Sequence, residues 1–214
     1  MDKQFFTNNL FTDYVDEHLA KIRESDHSSL YTSITVNPDT WFQWMIDHWS
    51  EADKFTYEHN PTKQGESNSQ IKLANEIGYT SANTAKLDWG RSVPSHNEDF
   101  IHILGQQNFD RLGIDSARVL IRLLCYLPGS FLPLHWDNFE SWQTRFQSDE
   151  TPSRFSVLIN PWSWGQYLQI HSHMISTWNP GDTYEIPYKA LHCSGNGGIV
   201  PKITLAITGI KKET

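Results

Sequence analysis

ARVLIRLLCYLPGSFLPLHWDNF, residues 117–139, marks a change in the character of the chain. The run 117–127 is rich in branched apolar residues and stops at Pro128-Gly129, as a strand ended by a turn does. More short apolar runs follow: RFSVLINPW (154–162), YLQIHSHMISTW (167–178), TYEIPY (183–188) and VPKITLAITGI (200–210). NPGD and SGNGG punctuate them. Such short strands with Pro and Gly between them predict an antiparallel sandwich or barrel. Within this region LPLHWDNF (132–139) ends an apolar approach in His135 and Asp137. Residues i and i+2 of an extended segment share a face, so the imidazole and the carboxylate can grip one metal ion. The alternative is a polar pair on a solvated strand end.

Residues 1–116 read as mixed helix and strand. Phe6, Leu10, Tyr14 and Val15 have helical spacing within 5–22. In 38–52, Trp41, Trp44, Met45, His48 and Trp49 recur at i, i+3, i+4, i+7 and i+8, an amphipathic helix with Pro38 in its first turn. This Trp stripe is expected to cover a sheet. Residues 59–70 read as a loop and 80–97 as irregular; 97–110 read as a helix capped by Asn97. The chain is therefore expected to be one domain, 1–214, in which 1–116 pack on a β core at 117–210.

Composition bounds the function. With 214 residues, 38% of them hydrophobic and nine of them Trp, the chain has material for one large aromatic-rich core. A formal charge of −8 argues against general binding to a phosphate backbone, so nucleic acid is not the expected partner. Cys125 and Cys193 are the only cysteines, which excludes a disulfide framework or a Cys-rich zinc site. MDKQFFTNNL lacks the apolar run of a signal peptide, and no stretch approaches the ~20 apolar residues of a membrane span. The expectation is a cytoplasmic protein without a membrane partner.

A metal held by His135 and Asp137 needs a third ligand, and two His with one carboxylate suit non-haem Fe(II). The downstream candidates are His171, His173 and His192. His192 precedes the SGNGG turn, and ten residues after it stands Lys202, with Thr204 two further on. If the turn pairs their strand beside that of His192, ammonium and hydroxyl face one interior together. There they can hold the far carboxylate of a diacid whose other end chelates the metal.

In this pattern the sequence resembles the Fe(II)- and 2-oxoglutarate-dependent dioxygenases, in their prolyl-hydroxylase-like branch. Their signature is HxD, a distal His, then a basic residue about ten further on, often with Ser or Thr two later. LLCYLPGSFLPLHWDN, SVLINPWSWGQYLQI and WNPGDTYEIPYKALH resemble successive pieces of the same frame, over roughly residues 117–210. The resemblance implies a double-stranded β-helix, a jelly-roll or cupin-like core, mainly β with flanking helices. It implies Fe(II) on His135, Asp137 and His192, with 2-oxoglutarate as co-substrate near Lys202 and Thr204. The reaction with O2 would decarboxylate 2-oxoglutarate to succinate and hydroxylate a peptidyl, possibly prolyl, or small-molecule substrate.

The chain departs from the family at two places. Lys202 stands where many members carry Arg, although the collagen-type prolyl hydroxylases carry Lys there. The strand FSVLI lacks the Tyr that often binds 2-oxoglutarate, and Tyr126 is the candidate substitute. Arg122 and Arg154 read either as pocket donors or as outward arginines. His171 and His173 read as barrel-face or surface residues, and Cys193 as a small filler. Trp136 and Trp142 either line a substrate mouth or cap the sheet, and 138–153 is the candidate lid. Two other readings stand beside the oxygenase: a cupin-like metalloprotein that uses no 2-oxoglutarate, and a non-catalytic β-sandwich binding module.

Overall fold

A computed structural model describes residues 30–212, apart from positions 57, 63, 65, 77, 82 and 83. The helix expected within 5–22 lies outside the described residues. In chain order the strands are β1 (Thr32–Ser33), β2 (Asp53–Thr56), β3 (Ala85–Trp89), β4 (Ile114–Tyr126), β5 (Phe131–His135) and β6 (Ser153–Leu158). They continue with β7 (Gln166–Ile170), β8 (His173–Ile175), β9 (Asp182–Ile186), β10 (His192–Asn196) and β11 (Lys202–Lys211). The helices are α1 (Pro38–Asp47), α2 (Glu66–Glu76), α3 (Ser95–Leu104), α4 (Gln106–Leu112) and α5 (Glu140–Phe146). No helix among the described residues is long and apolar enough to cross a membrane.

The strands form two antiparallel sheets, ordered β1-β9-β6-β11-β4-β3-β2 and β5-β10-β7-β8. From β4 onward the chain alternates between them. β4, β6, β9 and β11 lie in the larger sheet; β5, β7 with β8, and β10 lie in the smaller. This alternation is a double-stranded β-helix, so the core is a jelly roll and the chain is mainly β with flanking helices, as expected.

Period-two alternation gives the larger sheet two unlike faces. Val119, Ile121, Leu123 and Cys125 of β4 share the outer face with Ile203, Leu205 and Ile207 of β11 and Phe155 and Val157 of β6. Trp41 and Met45 of α1, Phe100 and Leu104 of α3 and Phe109 of α4 cover that face. The Trp stripe of α1 thus does cover a sheet. The opposite residues, Arg122, Leu124 and Tyr126 of β4, Arg154 and Ser156 of β6, and Thr204, Ala206 and Thr208 of β11, line an internal cavity. The main hydrophobic core therefore lies outside the barrel wall, and the polar residues lie inside it.

Local signals account for most boundaries. Asn37 caps α1 by accepting from Asp39 N at 3.0 Å, and Pro38 opens the helix. The helix ends at Asp47, short of the expected 52, and Trp49 falls in a separate 3-10 turn, 48% exposed. Gly181 has φ +90°, and a Cβ there would lie 2.0 Å from Ile34 O, so the NPGD turn needs glycine for β1 to lie against β9.

Three expectations are corrected. The loop expected at 59–70 gives way to α2 from Glu66, whose Ile71 and Ala74 pack with Leu124, Tyr126 and Leu132. The irregular stretch 80–97 contains β3, paired to β4 through Leu87–Cys125, Asp88–Leu124 and Trp89–Leu123. Ala85, Leu87 and Trp89 alternate with Lys86 and Asp88, but the run is only five residues long and lies in a turn-rich stretch, so the alternation does not stand out. Asn97 does not cap a helix; it lies inside α3, 3% exposed. Its Nδ2 donates to Val119 O at 3.2 Å, and its Oδ1 accepts from Ile121 N at 2.7 Å. Gly105 separates α3 from α4.

Asn97→Ala strands two buried backbone groups of β4 and is expected to cost ~2–4 kcal/mol in urea unfolding. Asn97→Asp keeps the acceptor for Ile121 N and should cost less. A cost below ~1 kcal/mol for the alanine variant would show that the clamp does not stabilise the sheet.

Candidate metal centre

β5 and β10 run antiparallel with His192 opposite His135, and their ring centroids lie 4.2 Å apart. Asp137 follows two residues past the end of β5 and turns its carboxylate to the same point. Its Oδ2 lies 3.7 Å from His192 Nε2. One ligand atom from each of the three falls within 4.8 Å of the others, a spacing that one cation can bridge.

The imidazoles are oriented by the backbone. His135 Nδ1 lies 2.8 Å from Pro133 O, and His192 Nδ1 lies 2.9 Å from Ala190 O. Each Nδ1 therefore carries the proton, which makes Nε2 the ligating nitrogen. Burial, with His192 beside it, lowers His135 to about 3, and burial likewise lowers His192. Burial alone would raise Asp137, but Arg154, His192 and His135 outweigh it and hold the carboxyl well below the usual carboxylate range. Neutral imidazoles and an ionised carboxylate are the states that bind a metal ion, so the donor set fits one.

Two further residues position these groups. Arg154 Nε donates to Asp137 Oδ2 at 3.0 Å, and its Nη1 donates to Thr208 Oγ1 at 2.5 Å. Gln70 of α2 holds Trp136, the residue between His135 and Asp137. Trp136 N donates to Gln70 Oε1 at 3.2 Å, and Gln70 Nε2 donates to Trp136 O at 3.3 Å. Arg122, like Arg154, faces inward; it pairs with Asp88 through two hydrogen bonds, Nε to Oδ1 at 3.0 Å and Nη2 to Oδ2. Gln70, Lys86 and Asp88 were not singled out from the sequence. Only a helix called at 66–76 and a strand called at 85–89 would have exposed them.

Lys202, Thr204 and Tyr126 lie near one another. Lys202 pairs with Tyr126 across β11 and β4, and all three face the barrel interior. The Lys202 side chain is fully buried. Its ammonium donates to Tyr167 O and to Ser194 Oγ, the latter at 2.6 Å, and lies 5.4 Å from the Tyr126 ring centroid and 5.3 Å from that of Trp178. Among the described residues no carboxylate pairs with it. Burial lowers this ammonium to about 7 and raises the Tyr126 hydroxyl to about 12. Ser194, Tyr126 and Thr204 line the same cavity as the triad, which has a volume of about 1190 Å³.

The remaining candidates resolve as follows. His171 sits in the β7–β8 turn and His173 is exposed on β8; neither lines the cavity. Cys193 donates to Gln169 Oε1 at 3.6 Å, and burial raises its thiol, as suits a filler. Trp142 of α5 is 1% exposed and donates from Nε1 to Arg118 O at 2.9 Å, so it anchors segment 138–153 to β4 while bordering the cavity. Trp136 also borders the cavity.

No family model matches the chain, and no curated protein matches it. Among solved structures it is similar to a cupin-2 domain protein from Rhodospirillum rubrum, at 9% identity over 78% of this chain and 74% of that one, with a TM-score of 0.36. It is similar to a predicted oxalate decarboxylase from Thermotoga maritima, at 12% identity over 59% of this chain and 81% of that one, TM-score 0.35. A cupin superfamily protein from Desulfitobacterium hafniense is 18% identical over 45% of this chain and 71% of that one, TM-score 0.31. At these values the likeness assigns neither family nor activity.

Proposed function

We propose that this chain is a metal-dependent enzyme that holds Fe(II) on His135, Asp137 and His192 and uses 2-oxoglutarate and O2 to hydroxylate a peptidyl or small-molecule substrate. The observation that carries the co-substrate is Lys202: a fully buried ammonium without a carboxylate partner among the described residues. An unpaired buried charge is costly, and an incoming carboxylate removes that cost. The ammonium bonds Ser194 Oγ, and Ser194 stands two residues along β10 from His192, one strand repeat of about 6.6 Å along the backbone. A diacid chelated by its keto-acid end spans such a distance. Tyr126 and Thr204 offer hydroxyls beside its far carboxylate.

Bound Fe(II) with 2-oxoglutarate and O2 supplies C–H hydroxylation, with succinate and CO2 as co-products. The chain itself orients and excludes water. Backbone carbonyls fix both imidazole tautomers, Arg154 holds one Asp137 oxygen, and three protein ligands leave room for others. A second reading, a cupin-like metalloprotein that uses no 2-oxoglutarate, is favoured by one observation. The Lys202 ammonium already donates to two protein acceptors, Tyr167 O and Ser194 Oγ.

Anaerobic absorption spectroscopy separates the readings. Adding Fe(II) and then 2-oxoglutarate to the apo-protein should give a weak visible charge-transfer band that requires both. His135→Ala should abolish the band, and Lys202→Ala should raise the 2-oxoglutarate needed by at least tenfold. Iron binding without a band supports the cupin-like reading; no iron binding returns HxD to an ordinary strand end.

The pH dependence has a fixed sign. Only the charged Lys202 attracts the carboxylate, and burial holds the free ammonium at about 7 rather than 10.5. The 2-oxoglutarate dissociation constant should therefore be flat below that value and rise by up to about tenfold per unit above it. Lys202→Ala should lose this dependence. An identical profile in both proteins would remove Lys202 from the binding site.

A further inference from the structure

A second buried cation faces the cavity, and neither the metal nor the co-substrate uses it. Lys86 of β3 is 8% exposed and lines the cavity. It stands opposite Phe55 in the β2–β3 register, with its ammonium 5.2 Å from that ring's centroid. Among the described residues it has no hydrogen-bond acceptor and no carboxylate in contact. Its neighbours on the same wall are matched: Arg122 by Asp88, and Arg154 by Asp137 and Thr208. Arg91 lies over the same Phe55 ring at 4.9 Å.

The wider cavity agrees. Among its described lining residues are six cations, Lys54, Lys86, Arg91, Arg122, Arg145 and Arg154, against four carboxylates, Asp53, Glu58, Asp137 and Glu140. Asp88, buried behind the wall, neutralises Arg122, so the cleft keeps one excess positive charge in a chain of net charge −8, and that charge draws anions to its mouth.

We propose that Lys86, with Arg91 beside the same aromatic ring, recognises an anionic oxygen group, carboxylate or phosphate, on the primary substrate. This rests on reading the cavity as the active site and deepens that reading. It is distinct from the co-substrate anchor. Leu87 pairs with Cys125 and Lys202 with Tyr126, so Lys86 and Lys202 approach Tyr126 from opposite neighbouring strands, about 10 Å apart at the backbone.

The test titrates Zn(II)-loaded protein with acetate, inorganic phosphate and neutral acetamide, with and without saturating 2-oxoglutarate. The readout is the NMR signal of the lysine ε-methylenes. At least one anion is expected to shift the Lys86 signal in the presence of 2-oxoglutarate, and acetamide is expected to shift none. The tighter anion tells carboxylate from phosphate. Lys86→Gln should weaken that binding at least tenfold, whereas Lys86→Arg should keep it within about threefold. Calorimetry should find 2-oxoglutarate affinity changed less than threefold in Lys86→Gln.

Anion binding unchanged in folded Lys86→Gln, or abolished by 2-oxoglutarate, overturns the proposal. Equal binding of acetamide also overturns it. Protein that binds no 2-oxoglutarate refutes the oxygenase instead, and the titration without it still reads Lys86. Should Lys86→Gln fail to fold, the Lys86 signal of the native protein and the Lys86→Arg variant decide.

Discussion

Every feature of the site depends on the two-residue alternation along β4 and β11. Nine registered pairs lock these strands together, from Lys202–Tyr126 to Lys211–Ile114. Once paired, odd-numbered β11 residues meet the helices and even-numbered ones meet the cavity. A slip by one residue would send Lys202, Thr204 and Thr208 into the apolar layer under α1 and α3. The register is secured from outside by that layer and by Asn97, which ties α3 to β4 at Val119 and Ile121. The chemistry of the interior is thus held in place by packing on the far side of the sheet.

The interior concentrates charge at a cost that few cores would bear. Asp137 is flanked by Arg154 and two imidazoles, and Asp88 by Arg122. Each carboxylate is satisfied, which is the condition for keeping ions out of bulk water. The cations exceed the anions, and the surplus sits on Lys86 and Lys202. A barrel wall with surplus positive charge is preorganised for ligands of the opposite sign.

How much of this was legible in the sequence follows from range. His135 and Asp137 are two residues apart and the SGNGG turn relates His192 to Lys202 and Thr204, so spacing made them candidates, but the choice of His192 over His171 and His173, and of Tyr126, came from the resemblance. The strand punctuation after residue 117 made an antiparallel sandwich or barrel legible, and the resemblance narrowed it to a jelly roll. Arg122 and Arg154 stayed open because β4 and β6 carry apolar residues on both faces, which hides their parity. Lys86, Asp88 and Gln70 were missed because β3, though alternating, is only five residues long, and α2 is polar on most of its surface, so both take their identity from packing against other segments. Asn97 was misread because Asn before an apolar run is the grammar of a cap, and only tertiary structure shows its amide turned to β4.

The end of the barrel beyond Lys202 is stitched backbone to backbone. Gly197 N donates to Gly165 O at 2.8 Å, and Gly129 N donates to Asn196 O at 2.8 Å. Asn196 Nδ2 ties Tyr126 O to Val200 O, and a Cβ on Gly198 would strike Trp164 O at 2.0 Å. The described residues that line the cavity reach Tyr126, Ser194 and Thr204 and stop short of Lys202. On the proposed reading a co-substrate would approach Lys202 past His192, because Lys202 bonds Ser194 two residues along β10 from it, whereas Lys86 flanks Tyr126 at the same level from the opposite strand. Were the two occupied as proposed, a co-substrate held at Lys202 would bind before a large substrate and leave after it.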